Sequence, residues 1–510
     1  MNQLYSISTF LLSILFLTLS SQSGQAQQKP VEKKAANTKK PNFVIILADD
    51  LGYGDLGCTG STQIKTQAID QLAKEGVFCT QAYVASPVCS PSRMGLLTGA
   101  NPPAYGVVTN PDTRWPHIDP SYMGLPVEKQ TIANHLKKMG YATGCIGKWH
   151  LGSLPNGNSL GTEPKFHPTN RGFDEFYGFL PGGHNYFQTN KVDKNYNCPI
   201  ESNYSTPGHI TYLTDDLATE GAGFITRHKK EPFFLFMSFN APHSPLQPKQ
   251  EDLDKLKFIP DSTDALKDRK KYCALVLGLD RAVKTIMDAL KENGLDENTC
   301  VVFLSDNGGP TPYTYACNAP YAGMKGTNLE GGIRVPFIVR WPKELKAGQK
   351  YEAAVSALDI LPTFLTAAGN TEILNEKGID GINILPLLKG ATLTKSRTLY
   401  WQFDNTDAVL DGNWKYILVP DRLPLLFNLK NDPSELHNCF KEEQERAAIL
   451  ARKLGRWLVT NPAPLFPEGK KWAKEHLHQY DLDFSRKQPA INEAPSWVDN
   501  WDNKVEDCPQ

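Results

Sequence analysis

Asn42-Phe43-Val44-Ile45-Ile46-Leu47-Ala48-Asp49-Asp50 is the stretch on which the fold turns. Phe43 to Ala48 is apolar without a break, so the segment has no polar face. That is the pattern of a strand covered on both sides in a parallel sheet, not of a half-exposed strand. The run stops on two adjacent carboxylates. Three further runs end in the same way. Ala142 to Ile146 leads into Gly147-Lys148-Trp149-His150-Leu151-Gly152, Phe233 to Phe239 into Asn240-Ala241-Pro242-His243-Ser244-Pro245, and Cys300 to Leu304 into Ser305-Asp306-Asn307-Gly308-Gly309. Helical stretches lie between them. The clearest is Ala274 to Asn293, with Leu275, Leu277, Ile286 and Leu290 on one broad apolar face and Gly294 as its stop. This alternation predicts a doubly wound α/β layer structure, in which sites form outside the carboxyl ends of the strands. Each terminus alone reads as well as a turn, a rigid loop or a solvated lysine. Polar ends on four buried strands point instead to one shared site.

A second segment adds chemistry. Cys89-Ser90-Pro91-Ser92-Arg93 precedes Met94-Gly95-Leu96-Leu97-Thr98-Gly99. Pro91 suits the first position of a helix, Ser90 can cap it, and Gly99 can end it. On this reading Cys89 stands just outside a helix N-terminus. Free N–H groups and the positive end of the dipole favour an anion there, and Arg93 one turn on adds a fixed guanidinium.

The chain has 510 residues, 40% of them hydrophobic, enough for a sizeable core and more than one packed unit. Its net charge of -1 gives no global field toward nucleic acid or membrane, so any anion preference must be local. Phe10 to Leu19 is an apolar run too short to span a bilayer, and Gly24-Gln25-Ala26 is a small-x-small cleavage site. Residues 1–26 thus read as a signal peptide, although the run is preceded by no Lys or Arg. Export to the periplasm or beyond is expected. Residues 27–40 read as a polar flexible linker. No cysteine follows the apolar run at an acyl-anchoring position, so no stable membrane anchor is expected. The ten cysteines have no CxxC spacing, and their pairing cannot be read from sequence.

Together these motifs resemble the type I, formylglycine-dependent sulfatases, and the resemblance runs from about Pro41 to about Leu458. It implies an alkaline-phosphatase-like fold: a large, mostly parallel sheet flanked by helices, over residues 41–375, with a smaller C-terminal subdomain on an antiparallel sheet over 376–462. Residues 463–510, with Trp472, Trp497 and Trp501, form a tail untypical of the family, placed either around the core or at the substrate cleft. By the same resemblance Cys89 is the residue oxidised to formylglycine, whose hydrate is the nucleophile, and Arg93 holds it. Asp49, Asp50, Asp306 and Asn307, with the modified Cys89, are metal ligands. Their hard oxygens suit calcium first and magnesium second. Lys148, His150, His243 and Lys325 complete the catalytic set. Family-like segments also include Arg171 to Gly178, Glu330 to Pro336 and Leu426 to Glu435.

The implied reaction is hydrolysis of a sulfate ester through a covalent sulfo-enzyme. Arg93, Lys148 and Lys325 offset charge on the sulfuryl oxygens, His243 with Lys325 protonates the leaving alcohol, and His150 acts as base in the second half. The implied partners are a sulfated oligosaccharide and a formylglycine-generating maturation enzyme. Algal polysaccharides such as ulvan, carrageenan or fucoidan come first and glycosaminoglycans second. The loop Pro181 to Phe187 offers an imidazole and aromatic faces to a sugar. Two other readings compete. A two-zinc phosphatase needs more His and Asp ligands and a Ser or Thr nucleophile, though a phosphodiesterase or phosphonate hydrolase of the same superfamily stays open as an alternative. A non-catalytic carbohydrate-binding relative has no need of Cys89.

Overall fold

The computed structural model describes residues 40–485 apart from 112–118, 120–121, 155–160, 188–195, 197, 204–210, 394–395 and 467–468. The signal-peptide reading, nearly all of the linker, and Trp497 and Trp501 of the tail lie outside the described residues. In chain order the strands are β1 Asn42–Ala48, β2 Val77–Cys79, β3 Ala82–Tyr83, β4 Ala142–Lys148 and β5 Glu175–Phe179. They continue with β6 Glu201–Ser202, β7 Phe233–Ser238, β8 Thr299–Ser305, β9 Phe337–Arg340, β10 Gln349–Tyr351 and β11 Val355–Ser356. A second group follows: β12 Thr398–Phe403, β13 Thr406–Asp411, β14 Trp414–Leu418 and β15 Leu425–Asn428.

Nine strands form the main sheet, in the order β10-β2-β9-β8-β1-β7-β4-β5-β6. The pairs β8·β1, β1·β7, β7·β4 and β4·β5 are parallel, and β9 and β6 run antiparallel to their neighbours. All four strands anticipated from sequence sit side by side as β8-β1-β7-β4. The unbroken apolar character of β1 has its reason in two cores. Val44 and Ile46 pack with Leu213, Leu217, Leu279 and Ile286 on one face. Phe43, Ile45 and Leu47 pack with Met94, Leu97, Leu136 and Phe364 on the other. Helices therefore cover both faces, as the doubly wound reading requires.

The long helix runs from Asp264 to Glu292, ten residues further back than its apolar periodicity indicates. Its first turns are charged, so the pattern is silent there. A Thr263 hydroxyl cap on the Leu266 N–H and the pairs Asp264–Lys267 and Asp268–Lys271 carry the helix back to its start.

The four-stranded sheet β12-β13-β14-β15 is antiparallel throughout. One face packs Trp401, Leu410, Ile417 and Phe427 against Tyr83, Leu329 and Ile333 of the main unit. The other packs Val409, Tyr416 and Leu426 against the helix Gln444–Leu458. Ile373, Ile384, Leu387 and Leu388 belong to the main core, so the chain hands over to the small sheet between Leu388 and Thr398. All nine described cysteines are free thiols.

A fully buried ion cluster joins the two sheets. Lys415 Nζ on β14 lies 2.9 Å from both Glu330 Oε1 and Glu435 Oε1, with all three side chains inaccessible. Arg334 adds a second cation 3.0 Å from Glu330. One lysine cannot neutralise two carboxylates. Glu330, with two cations, is held below its usual range despite burial, whereas burial pushes Glu435 up to about 7. An unfolded glutamate releases its proton near 4.5, so the stability contributed by Glu435 is complete below that value and is lost as pH rises through about 7. Glu435→Gln should therefore gain stability relative to the wild type between pH 5 and pH 8. Urea melts at both values check this, and an identical difference in unfolding free energy at both would rule it out.

Candidate active site

The segment Cys89–Thr98 is helical, and the structure corrects its start. The Ser92 N–H already bonds the Val88 carbonyl at 3.2 Å, so extended Val88 is the cap and Cys89 is the first helical residue. Ser90 does not cap. Its N–H is instead taken by Asn110 Oδ1 at 2.9 Å, and Pro91 is tolerated because the first turn has no intrahelical use for its N–H. Gly99 closes the helix at φ 66°, as expected.

The ends of the four central strands bring seven of the ten sequence-predicted residues to one place, and the helix with Cys89 and Arg93 and the loop with Lys325 add the other three. Asp49 and Asp50 leave β1, Asp306 and Asn307 leave β8, Lys148 closes β4 with His150 two residues on, and His243 follows β7. Neighbouring parallel strands deliver them at one edge of the sheet. Two turns are strained to do so, with Asp50 at φ 63° and His150 at φ 55°. Close packing of β4 on β7 needs Gly147, at φ 113°, where a Cβ would fall 1.8 Å from the Ser238 carbonyl oxygen.

Three carboxylates and three cations interlock around Cys89. Arg93, wholly buried, donates from Nε to Asp306 Oδ2 at 2.9 Å and from one terminal nitrogen to Ser238 Oγ at 2.6 Å. Lys148 Nζ lies 2.6 Å from Asp49 Oδ2. Lys325 Nζ donates to Asp50 Oδ1 at 2.7 Å and to Cys89 Sγ at 3.1 Å. Asn307 Nδ2 donates to Asp50 Oδ1 at 2.6 Å, while Asn307 Oδ1 is buried without a partner. His243 Nδ1 is set against the Ser244 carbonyl at 2.6 Å, leaving Nε2 3.6 Å from Asp50 Oδ2. His150 and His243 flank Gly182 and Gly183, so the loop Pro181–Phe187 does border the site.

Electrostatics sort these groups into roles. Asp50 is held near 2 by Lys325 and His243 against its own desolvation, whereas burial beside Asp49 raises Asp306 to about 6. Burial pushes the Cys89 thiol up to about 12 despite Lys148 and Lys325. Burial and nearby cations hold both imidazoles neutral, His150 well below its usual range and His243 near 3. Lys325 is driven far up and stays charged: its carboxylate neighbours outweigh its own burial.

A divalent metal fits this donor set. Single ligand atoms from Asp49, Asp50, Cys89 and Asp306 lie within 4.8 Å of one another, and the unpartnered Asn307 Oδ1 adds a hard oxygen at the same strand end. Sequence reasoning missed the Arg93 acceptor Ser238 and also Ser305, whose hydroxyl accepts from the Leu51 N–H at 3.0 Å and donates to the Asn307 carbonyl at 2.8 Å. Both are lone polar residues closing apolar strands, which is the signal that could have found them.

Comparison with known proteins identifies the family. A family model described as Sulfatase matches residues 41–370, and one described as N-sulphoglucosamine sulphohydrolase, C-terminal, matches 325–459. The chain belongs to the sulfatase family and is a sulfuric ester hydrolase. It is 33% identical over 401 residues to the N-acetylgalactosamine-6-sulfatase of Mus musculus, covering 75% of this chain and 72% of that protein. It is 32% identical over 518 residues to the N-acetylgalactosamine-6-O-sulfatase of Bacteroides thetaiotaomicron, covering 84% and 95%. Among solved structures, Ps i-CgsB in complex with k-i-k-neocarrahexaose superposes with a TM-score of 0.77 at 36% identity, covering 87% of this chain and 98% of that one. Among the described residues no helix is long and apolar enough to cross a membrane.

Proposed function

We propose that this is an exported sulfatase that removes sulfate from carrageenan-type galactan oligosaccharides. The observation that carries the reading is the 36% identity, over nearly the whole of both chains, to a protein solved with a carrageenan hexasaccharide. The N-acetylgalactosamine sulfatases among its relatives also act on sulfated sugars of galactose configuration, and they supply the second reading, a glycosaminoglycan substrate.

Asp49, Asp50, Asp306 and Asn307 would hold a calcium ion, which offsets charge on the sulfuryl oxygens, and Cys89 oxidised to formylglycine would supply a hydrated aldehyde as nucleophile. The remaining residues work as fixed charge and proton carriers. Arg93, clamped by Asp306 and Ser238, cannot swing away and presents a permanent cation beside the nucleophile. Lys148 and Lys325 add two more charges aimed at the same point, which suits an anionic ester and its transition state. His243 is neutral at rest and Lys325 is charged, so Lys325 is the proton-bearing member of the pair that serves the leaving alcohol. His150, neutral and with a bare Nδ1, is the base available for the second half of the reaction.

The full chain, co-expressed with a formylglycine-generating enzyme, should release inorganic sulfate from carrageenan oligosaccharides, read by ion chromatography. Release from N-acetylgalactosamine-6-sulfate oligosaccharides alone would move the substrate to glycosaminoglycans. Release from neither, with the Cys89 peptide carrying the aldehyde mass, would overturn both readings.

A further inference from the structure

The helix Lys470–Ser485 lies beyond both matched family stretches, which end at residue 459, yet it packs directly on the site. Tyr480, 2% exposed, accepts the Asn328 N–H at 2.7 Å. One turn earlier, the His476 ring covers Gly326: a Cβ there would fall 2.2 Å from His476 Nε2. Only a glycine next to Lys325 admits this contact, so the helix and the Lys325 loop are locked together. Burial, and after it the charge of Lys325, lowers the His476 pKa.

One turn further back, on the same face, stands Trp472. Its ring is 6.3 Å from the His476 ring at 27° and 5.8 Å, edge-on, from Tyr313. Tyr313 follows Asn307 by six residues, and its hydroxyl donates to Glu475 Oε2 at 2.6 Å. The aromatic pair is thus braced from both sides, by the tail helix and by the loop that carries Asp306 and Asn307. Even so, Trp472 is 40% and Tyr313 38% exposed. Part of each side chain thus reaches solvent, and Trp472 stands one helical turn from a residue in contact with the Lys325 loop.

We propose that Trp472 and Tyr313 form a stacking platform for a pyranose ring adjacent to the sugar that carries the scissile sulfate, and that His476 over Gly326 is a positioning residue that keeps the platform in register with Lys325. The proposal rests on the reading of a saccharide substrate given above. It makes the tail a determinant of chain-length preference. Apolar C–H faces of a sugar suit exposed aromatic rings, and a monosaccharide or an aryl sulfate would not reach them.

The test uses the matured full chain and its Trp472→Ala, Trp472→Phe and Tyr313→Ala variants. Each is assayed on a carrageenan hexasaccharide, an N-acetylgalactosamine-6-sulfate oligosaccharide and 4-nitrophenyl sulfate. For the saccharide that the wild type hydrolyses, the ratio of its kcat/KM to that of the aryl sulfate should fall about tenfold in Trp472→Ala, the scale of one aromatic face. The fall should be carried by KM, and Trp472→Phe should recover most of it. A ratio unchanged within twofold, with a lowered melting temperature, would overturn the platform and leave these rings as a structural anchor. Wild-type turnover of the aryl sulfate alone would overturn the saccharide reading and the platform with it.

Discussion

Replacing Cys89 by alanine should abolish sulfate release, a loss on the order of 10^4-fold or more, the scale on which removal of an enzyme nucleophile is felt. Cys89 is 2% exposed, its sulfur is 3.1 Å from Lys325 Nζ, and it stands at the start of a helix whose Arg93 is pinned to Asp306. The fold should survive the change. Lys325 keeps both of its contacts to Asp50, at 2.7 and 3.0 Å, and a small side chain leaves a small void. Turnover and a thermal melt, measured on the same preparation, separate the two effects. Cys89→Ser should behave as Cys89→Ala does if maturation accepts only cysteine. An alanine variant within tenfold of the wild type would mean that the nucleophile lies elsewhere.

The largest effect on stability is expected at Lys415. Lys415→Met should cost about 3–5 kcal/mol, the range found when one partner of a buried ion pair is removed and the other is left uncompensated. Glu330 would retain Arg334, but Glu435 would lose the one direct cation it has among the described residues. A denaturant melt gives the cost, and adding Glu435→Gln should restore a large part of it. A single variant within 1 kcal/mol of the wild type would show that the cluster is dispensable. The damage should also reach the site. The Gly331 N–H, next to Glu330, bonds the Ala322 carbonyl at 2.6 Å, and the Gly308 N–H bonds the Gly332 carbonyl at 3.0 Å. The segment anchored by Lys415 therefore supports both Asn307 and the Lys325 loop.

What could be read beforehand follows from which interactions are local. Phe43 to Ala48 and its three partner strands are buried on both faces, so burial writes itself as an uninterrupted apolar run, and the polar residues at their ends stand out. The start of the helix at Asp264 was hidden because its first turns are stabilised by charge pairs and a cap instead of an apolar face. The start at Cys89 was misplaced by two residues because extended Val88 offers no capping side chain. Ser238, Lys415 and His476 matter through partners 145, 85 and 150 residues away, namely Arg93, Glu330 and Gly326. No spacing rule reaches that far.

The order β8-β1-β7-β4 at the centre of the sheet has one more consequence. During synthesis β1 emerges first, but both of its neighbours are encoded roughly 190 and 250 residues later, as their registers Phe43↔Phe234 and Asn42↔Thr299 show. Long loops must close before those pairings are rewarded, which makes the central sheet slow to assemble. Asp49 and Asp50 are translated at the start, yet they acquire Asp306, Asn307 and Lys325 only after most of the polypeptide has left the ribosome. A nascent chain therefore holds only part of the site, which is assembled once β8 and the loop that carries Lys325 are in place.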